Sequence, residues 1–148
     1  MAATQNEVGF VPQESSAPFG GTTEVEVWVD ATGLQGGQMK FTYDSTCADV
    51  TNWERNGDDF LYGGWESDTA GEEWILFAAE GLLTGEYLIG TLIIHCVSEE
   101  ECTTALDFVE PSALKDNLGN EVPATWTDGT FRKGMYELYL PLTIKNFR

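Results

Sequence analysis

The sequence is poor in positive charge. It has 7 lysines and arginines against 25 aspartates and glutamates. Residues 132–148 hold four of the basic residues, so residues 1–131 carry a net charge of −21, with 24 acids against Lys40, Arg55 and Lys115. A phosphate backbone would be repelled by such a surface, which excludes nucleic-acid binding. The acidity fits either solubility in a salty exterior or electrostatic steering of a basic partner, and both interpretations stay open.

Long apolar runs and targeting signals are missing too. No stretch of about 18 apolar residues occurs, so we expect no segment to cross a membrane. Met1–Gln5 has neither a basic start nor an apolar stretch, and therefore does not look like a secretory signal peptide. If the protein is secreted, we expect this chain to be a fragment of a longer one.

Histidine and cysteine are scarce, which limits metal and redox chemistry. The chain has one histidine, His95, and no Cys-x-x-Cys pair, so we expect no metal site and no cofactor. Three cysteines allow three single disulfides or a fully reduced state. We expect a Cys96–Cys102 bridge, because these residues bracket the acidic turn 97–101. Cys47 would then remain free as a small buried hydrophobe.

Helical periodicity is nearly absent, and alternation of polar and apolar residues takes its place. Residues 73–78 are apolar on both faces, which indicates a strand that is covered twice or contacts a partner. Short strands about every ten residues, separated by Gly, Asn and Asp, predict an all-β sandwich. The residues predicted to face inward on the first two clear strands are Val25, Val27, Val29, Met39, Phe41 and Tyr43.

The order of several segments resembles the cohesin family. An aromatic strand ending in Tyr43-Asp44 leads into a hydrophobic strand, and Phe-Ala, Thr-Gly and long-strand segments follow. The similar segments are 37–44, 45–50, 76–78, 83–85, 89–97, 104–108, 119–123 and 127–131. Cys47 stands where the family has an aliphatic residue, which agrees with a buried position. The cysteine turn and the basic tail depart from the common pattern, so the resemblance is to a divergent, non-cellulosomal member.

The resemblance implies a nine-stranded jelly-roll β-sandwich whose first and last strands pair in parallel. It also implies a non-catalytic scaffolding module, extracellular or on the cell surface, that binds a dockerin-bearing protein. A dockerin is a small helical module with calcium loops, so calcium would belong to the partner and not to this chain. Assembly around polysaccharides is one setting for such a module. The implied binding face is built from strands at residues 37–43, 60–67, 73–79 and 103–109.

Strand phase selects the side chains on that face. If Ile75 and Phe77 lie in the core, Trp74 and Leu76 lie outside and form an apolar centre for an interface. Leu82 and Leu83 would extend this apolar patch. An acidic rim around the patch would suit basic residues at the ends of dockerin helices. The predicted partner-binding residues are Gln38, Lys40, Thr42, Trp65, Trp74, Leu76, Glu80, Leu82, Leu83, Leu118 and Asn120. In the alternative interpretation, the loop around Trp65 folds over Trp74 and Leu76 and buries them in a small second core.

Other functions compete with dockerin binding. A glycosidase needs two placed carboxylates, but among 25 acids some pair always looks suitable, so this signal is not specific. No Gly-x-Ser-x-Gly elbow or oriented Cys–His pair exists, and we expect no enzyme. The main alternative is a carbohydrate-binding module with Trp53, Trp65 and Trp74 as its platform, although aliphatic neighbours of Trp74 favour a protein. A structural spacer is the third hypothesis. His95 is assigned to the opposite sheet without a function.

Residues 1–131 are predicted to form the sandwich and residues 132–148 a tail or linker. Because Pro141 has no N–H to donate to a strand ladder, we expect that the tail does not form a central strand of a sheet. Tyr136, Leu138 and Leu140 would be free to contact a neighbouring chain, so self-association through the tail stays open.

Overall fold

The computed structural model describes residues 6–135, in which strands and turns alternate without a helix. The all-β class predicted from the sequence is confirmed, with ten strands where nine were expected. They are β1 (Asn6–Val11), β2 (Glu14–Ala17), β3 (Thr22–Thr42), β4 (Ala48–Arg55), β5 (Tyr62–Glu66), β6 (Glu72–Cys96), β7 (Thr103–Lys115), β8 (Glu121–Val122), β9 (Ala124–Trp126) and β10 (Gly129–Lys133).

Two sheets form because β3 and β6 each run through both. Sheet 1 has the order β4–β6–β3–β1–β9, and it uses the first half of β3 and the second half of β6. Sheet 2 has the order β5–β6–β3–β7–β10–β2, and it uses the other halves. The short strand β8 pairs with the end of β7. The two longest strands therefore join the layers of the sandwich.

The crossing between the sheets lies where the pairing of β3 with β6 changes register. The shifts fall between Thr32 and Leu34 and between Leu34 and Gly36. Gly33 and Gly85 have φ angles of +64° and +126°, a region that residues with a Cβ rarely adopt. The sequence predicted short strands separated by residues such as glycine. Instead, both strands continue through them as bulges, which bend a strand without ending it.

Alternation separates the core from the surface as the sequence predicted. Met39 and Phe41 are fully buried, and Tyr43 is half-buried. The rings of Phe10 and Phe108 stack with their centroids 4.8 Å apart. Burying a large apolar side chain contributes about 1.5–3 kcal/mol, so this layer is a large source of stability for the domain. The other buried residues with predicted inward phase are Val25, Val27, Val29, Ile75 and Phe77.

Parallel pairing closes the sandwich at both sheets. β1 pairs in parallel with β9 in sheet 1, and β2 pairs in parallel with β10 in sheet 2. The chain changes sheet between β1 and β2 at Pro12, which has no N–H to continue the first ladder. The parallel pairing of first and last strands that the resemblance implied is therefore divided between the sheets: the first two strands, β1 and β2, pair with the last two, β9 and β10.

The C-terminal strand extends slightly past the predicted boundary at residue 131. β10 continues to Lys133, and the backbone N–H of Gly134 donates to the carbonyl of Ala17 at 2.8 Å. Residues 136–148, including the predicted contact residues Tyr136, Leu138 and Leu140, lie outside the described residues.

The disulfide joins Cys47 to Cys102, whose Cα atoms lie 5.8 Å apart, and Cys96 is a buried free thiol. The predicted Cys96–Cys102 bridge with a free Cys47 is therefore wrong. Cys96 ends β6 with its side chain in the core, like Ile94 two residues earlier. Cys47 directly precedes β4 of sheet 1, and Cys102 directly precedes β7 of sheet 2. The bridge thus ties the two sheets together across 55 residues of sequence.

Candidate partner-binding face

The four segments assigned to the binding face are adjacent strands of sheet 2, in the order β5, β6, β3, β7. Residues that oppose each other in antiparallel strands share a face, so the register defines the outer surface. Three rows of four residues cross it. They are Tyr62, Ala78, Gly36 and Lys115; then Gly64, Leu76, Gln38 and Ala113; then Glu66, Trp74, Lys40 and Val109.

Trp74 and Lys40 form the centre of the third row. The Lys40 ammonium lies 4.9 Å from the centroid of the Trp74 ring and 3.7 Å from a carboxylate oxygen of Glu72. A cation over an indole ring contributes about 0.5–1 kcal/mol at exposed sites. Lys40 is therefore directed at two groups of its own sheet, and Trp74 is only half-exposed.

Leu76 and Tyr62 are the open apolar part of the face. They are 52% and 58% exposed, which is far more than sheet residues covered by a second layer. A depression of about 330 Å³ lies between Leu76, Ala78, Gln38 and Lys115. Exposed apolar side chains next to a depression are typical of surfaces that contact a partner.

The floor of the depression is glycine backbone. Gly36 has no room for a side chain, because a Cβ there would collide with the carbonyl oxygen of Phe77 on β6. A Cβ on Gly37 would lie 2.5 Å from the carbonyl oxygen of Ala113 on β7. Close approach of β3 to both neighbours therefore requires this pair of glycines. Gly36 belongs to an outer row, so its missing side chain leaves the surface concave, whereas Gly37 opposes the buried Phe77 and Leu114 and faces the core.

Two predicted site residues lie on the inner side and are corrected. Trp65 opposes Ile75 in the register of β5 with β6, and it packs against the core. Leu83 opposes the fully buried Leu34 and also packs against the core. The side chains of opposed residues point the same way, so neither residue can reach the outer face of sheet 2.

The remaining predicted positions lie around the face. Thr42 opposes Glu72 and Asp107 in a further row, and Glu80 is exposed two residues beyond Ala78. Leu82 is 51% exposed in the crossing of β6.

Leu118 and Asn120 sit on the turn that borders the depression at Asp116. Asp116 accepts hydrogen bonds from the backbone N–H groups of Leu118 and Asn120 at 2.8 and 2.9 Å. These donors lower the pKa of Asp116, because they stabilise the ionised carboxylate. The turn is thus fixed by one ionised side chain, and it presents Leu118 with 78% of its surface exposed.

A buried carboxylate that the sequence analysis missed lies directly beneath the face. Glu73 is fully buried and accepts hydrogen bonds from the Tyr43 hydroxyl at 2.5 Å, the Trp65 Nε1–H at 2.8 Å and the Ser67 hydroxyl at 2.9 Å. Burial raises the pKa of Glu73, and the three donors act in the opposite direction. The pKa of Tyr43 is raised as well, first by burial and then by the bond to Glu73.

The Glu73 network holds the edge strand β5 against β6. Trp65 belongs to β5 and Ser67 follows it, so two of the three donors come from this edge. A signal for the network was present in the sequence, since Glu73 has the inward phase of Ile75 and Phe77. A carboxylate in that phase requires hydrogen-bond donors around it.

The tryptophan platform of the carbohydrate-binding alternative does not form. Trp53 and Trp65 both pack against the core, from β4 and β5 respectively, whereas Trp74 lies on the outer face of sheet 2. A sugar platform requires exposed coplanar rings, and these three rings do not share a surface. His95 lies on sheet 1, opposite Thr22 and Asp49, and is half-buried.

Across residues 6–135 there is no group of three or more His, Cys, Asp or Glu side chains placed to hold a metal ion. The same part of the chain has no helix that is long and apolar enough to cross a membrane.

The described strands define an all-β sandwich module with an open, partly apolar sheet face. No family model matches the sequence, and no curated protein matches it either. The chain does match solved structures of cohesin modules.

Three of these structures span different cohesin sources. A non-cellulosomal cohesin from the archaeon Archaeoglobus fulgidus matches with a TM-score of 0.72 and 17% identity over 90% of this chain and 93% of its own. A cohesin module from a family 33 glycoside hydrolase of Clostridium perfringens matches with a TM-score of 0.71 and 12% identity, covering 88% and 98%. A type I cohesin–dockerin complex from Clostridium thermocellum matches with a TM-score of 0.69 and 16% identity, covering 87% and 99%. This chain therefore has the cohesin fold, as the sequence resemblance implied.

Proposed function

We propose that the chain is a divergent cohesin-type module that binds a dockerin-bearing protein through the outer face of sheet 2. The observation that carries the proposal is the exposed apolar pair Leu76 and Tyr62 beside the depression over Gly36. The face is built on four paired strands, so it is rigid before binding and little ordering entropy opposes association. Solved structures of the same fold include complexes with dockerins.

Affinity in this proposal comes mainly from burial of apolar surface. Leu76 is central, with Gln38 and Gly64 beside it in the same row. Lys40 is engaged by Trp74 and Glu72, so the face offers a partner apolar surface with acids such as Glu66 and Glu80 around it. A helical partner with apolar residues flanked by basic ones complements this pattern.

The module acts without catalysis or a cofactor of its own, outside the cell or on its surface, as part of a longer scaffolding protein. Calcium is needed by the dockerin, whose loops it orders. A chelator should therefore abolish the complex and leave the melting temperature of this chain unchanged. Calorimetry and thermal melting with and without chelator test these two expectations separately.

The proposal is tested by calorimetry against a panel of calcium-loaded dockerin modules. For the dockerin that binds, Leu76→Ala should weaken binding by about 2 kcal/mol, roughly thirtyfold in dissociation constant. The matched control is Ile93→Ala, which truncates a half-buried aliphatic residue of the same strand in sheet 1. Circular dichroism verifies that both variants fold. The proposal fails if no dockerin binds, or if Ile93→Ala weakens binding as much as Leu76→Ala.

A further inference from the structure

A second groove lies on the opposite side of the molecule, on the outer face of sheet 1. Its volume is about 460 Å³, and it follows β1 and β3 near their pairing with β9 and β6. Pockets for small ligands occupy about 300–1,000 Å³. The groove is therefore large enough to hold a few side chains of an extended segment.

The groove exists because a glycine faces a tryptophan. Gly9 on β1 is directly opposite Trp28 on β3. A Cβ on Gly9 would meet no atom closer than the Thr127 Cβ at 3.7 Å, so the space above it is open. The Trp28 Nε1–H donates to a Glu26 carboxylate oxygen at 2.8 Å, which fixes the plane of the indole ring. The floor is thus backbone, and one wall is an oriented aromatic ring.

Like charges are placed side by side along this groove. Asp30 opposes Glu7 on β1 and Glu86 on β6, so three carboxylates stand in one row across three strands. Glu26 adds a fourth to the lining. Opposed like charges destabilise a sheet. Among residues 6–135 none of these four carboxylates forms an ion pair. An occupant with positive charge would relieve this repulsion, whereas a neutral one would not.

We propose that this groove binds an extended cationic segment of a partner protein, with an arginine or lysine side chain on the Trp28 ring. The face of an indole ring attracts cations. Carboxylates on either side supply charge-assisted hydrogen bonds, for which the fork of a guanidinium is well suited. The Glu26 bond to Trp28 leaves the row formed by Asp30, Glu7 and Glu86 as the acceptor for the head group. This surface is separate from the face of sheet 2, so the inference does not depend on dockerin binding.

Nuclear magnetic resonance can test the groove directly, since the indole N–H of Trp28 gives its own signal. That signal is assigned with Trp28→Phe. The probe is a capped pentapeptide of alternating glycine and arginine, and the control peptide carries neutral citrulline in place of arginine. The arginine peptide should shift the Trp28 indole signal and the Gly9 and Asp30 amides, and the response should weaken with added salt. The citrulline peptide should shift none of them.

Matched variants separate the groove from general acidity. Gly9→Gln fills the groove. Asp30→Asn removes the central carboxylate of the row and leaves the size of the side chain at this position nearly unchanged. Each variant should weaken peptide binding about tenfold or more. Gly9→Gln removes the space for the arginine side chain, and Asp30→Asn removes a negative charge that the guanidinium would bind. The control Glu24→Gln removes an exposed carboxylate from the same strand and face outside the lining, and should change binding less than about twofold. Asp30→Asn keeps the test decisive if Gly9→Gln does not fold.

Four outcomes would overturn the inference. The first is no shift of the Trp28 indole at millimolar peptide, and the second is an equal loss in Glu24→Gln. The third is a Trp28 response to a neutral glycan such as cellohexaose that matches the response to the arginine peptide, which would make the groove a sugar site. The fourth is self-association that Gly9→Gln abolishes, measured by sedimentation, which would make the occupant a second copy.

Discussion

The two outer faces of this sandwich differ in what they offer a partner, although the same two long strands build both. The sheet 2 face presents exposed Leu76 and Tyr62, and its central cation Lys40 is engaged within the face. The sheet 1 face presents one tryptophan, Trp28, among four carboxylates. The first arrangement favours affinity from apolar burial. The second favours charge recognition and fast association, which depend on salt. The two proposals therefore assign a different kind of partner to each face.

The largest expected change in the free energy of unfolding comes from removing the disulfide that joins the two sheets. Replacing both Cys47 and Cys102 by alanine should lower the free energy of unfolding by about 4 kcal/mol, because the bridge closes a loop of 55 residues. Urea unfolding followed at the indole signals of Trp28 and Trp74 measures this loss on each face. Both signals should disappear in one transition, since the sheets share β3 and β6.

Mass spectrometry of the unreduced protein checks the pairing itself. It should find Cys47 linked to Cys102 and a single free thiol at Cys96, accessible to alkylation only after unfolding. A linked Cys96, or separate transitions for the two faces in the double variant, would contradict a bridge that joins two interdependent sheets.

A smaller change in stability should distinguish a tryptophan on the inner side of sheet 2 from one on the outer side. Trp65→Phe removes a donor from buried Glu73 and should cost about 1–3 kcal/mol of stability. Trp74→Phe keeps an aromatic ring under Lys40 on the outer side, and should change stability by less than about 0.5 kcal/mol. Chemical denaturation of the two variants makes the comparison. Equal losses would mean that both tryptophans are packed alike.

The smallest expected effect is a change in the pH dependence of stability caused by Glu73. Burial raises its pKa in the folded state above the ordinary value of 4.5. The contribution of this group is therefore fully present below about pH 4.5, and it is lost as pH rises through the folded pKa. Glu73→Gln keeps an acceptor and stays neutral, so its stability relative to the unmodified protein should increase with rising pH.

The measurement for Glu73 is a series of urea midpoints from about pH 4 to about pH 8. Glu66→Gln serves as the control, because it makes the same carboxylate-to-amide change at an exposed position of the same sheet. A stability difference between Glu73→Gln and the unmodified protein that stays constant across this pH range would show that Glu73 titrates as it does in the unfolded chain.

The sequence predicted the strand phase where alternation is regular. Met39 and Phe41 are buried and Leu76 is exposed, as that alternation indicated. The four strands of the candidate face were identified by the resemblance, and they are adjacent in sheet 2. These features depend on local pattern and on segment order, both of which one sequence contains.

The features that were mispredicted depend on contacts between distant segments. Cys47 meets Cys102 only because the two sheets close on each other, while the nearness of Cys96 to Cys102 in sequence says nothing about their orientation. Trp65 follows two glycines, so no alternation indicated which way it points. Leu83 lies in a bulged crossing, where a shift of register changes the face that a residue occupies.

The bulged crossings also have a consequence for how such a domain evolves. In a regular strand, one inserted residue sends every following side chain to the opposite face. In β3 and β6, the crossings already absorb register shifts between Thr32 and Gly36, with glycines that tolerate unusual backbone. An insertion there can be taken up locally, before it reaches either sheet. The outer faces of the two sheets can therefore change their sequences independently, so a change in one proposed binding surface need not disturb the other.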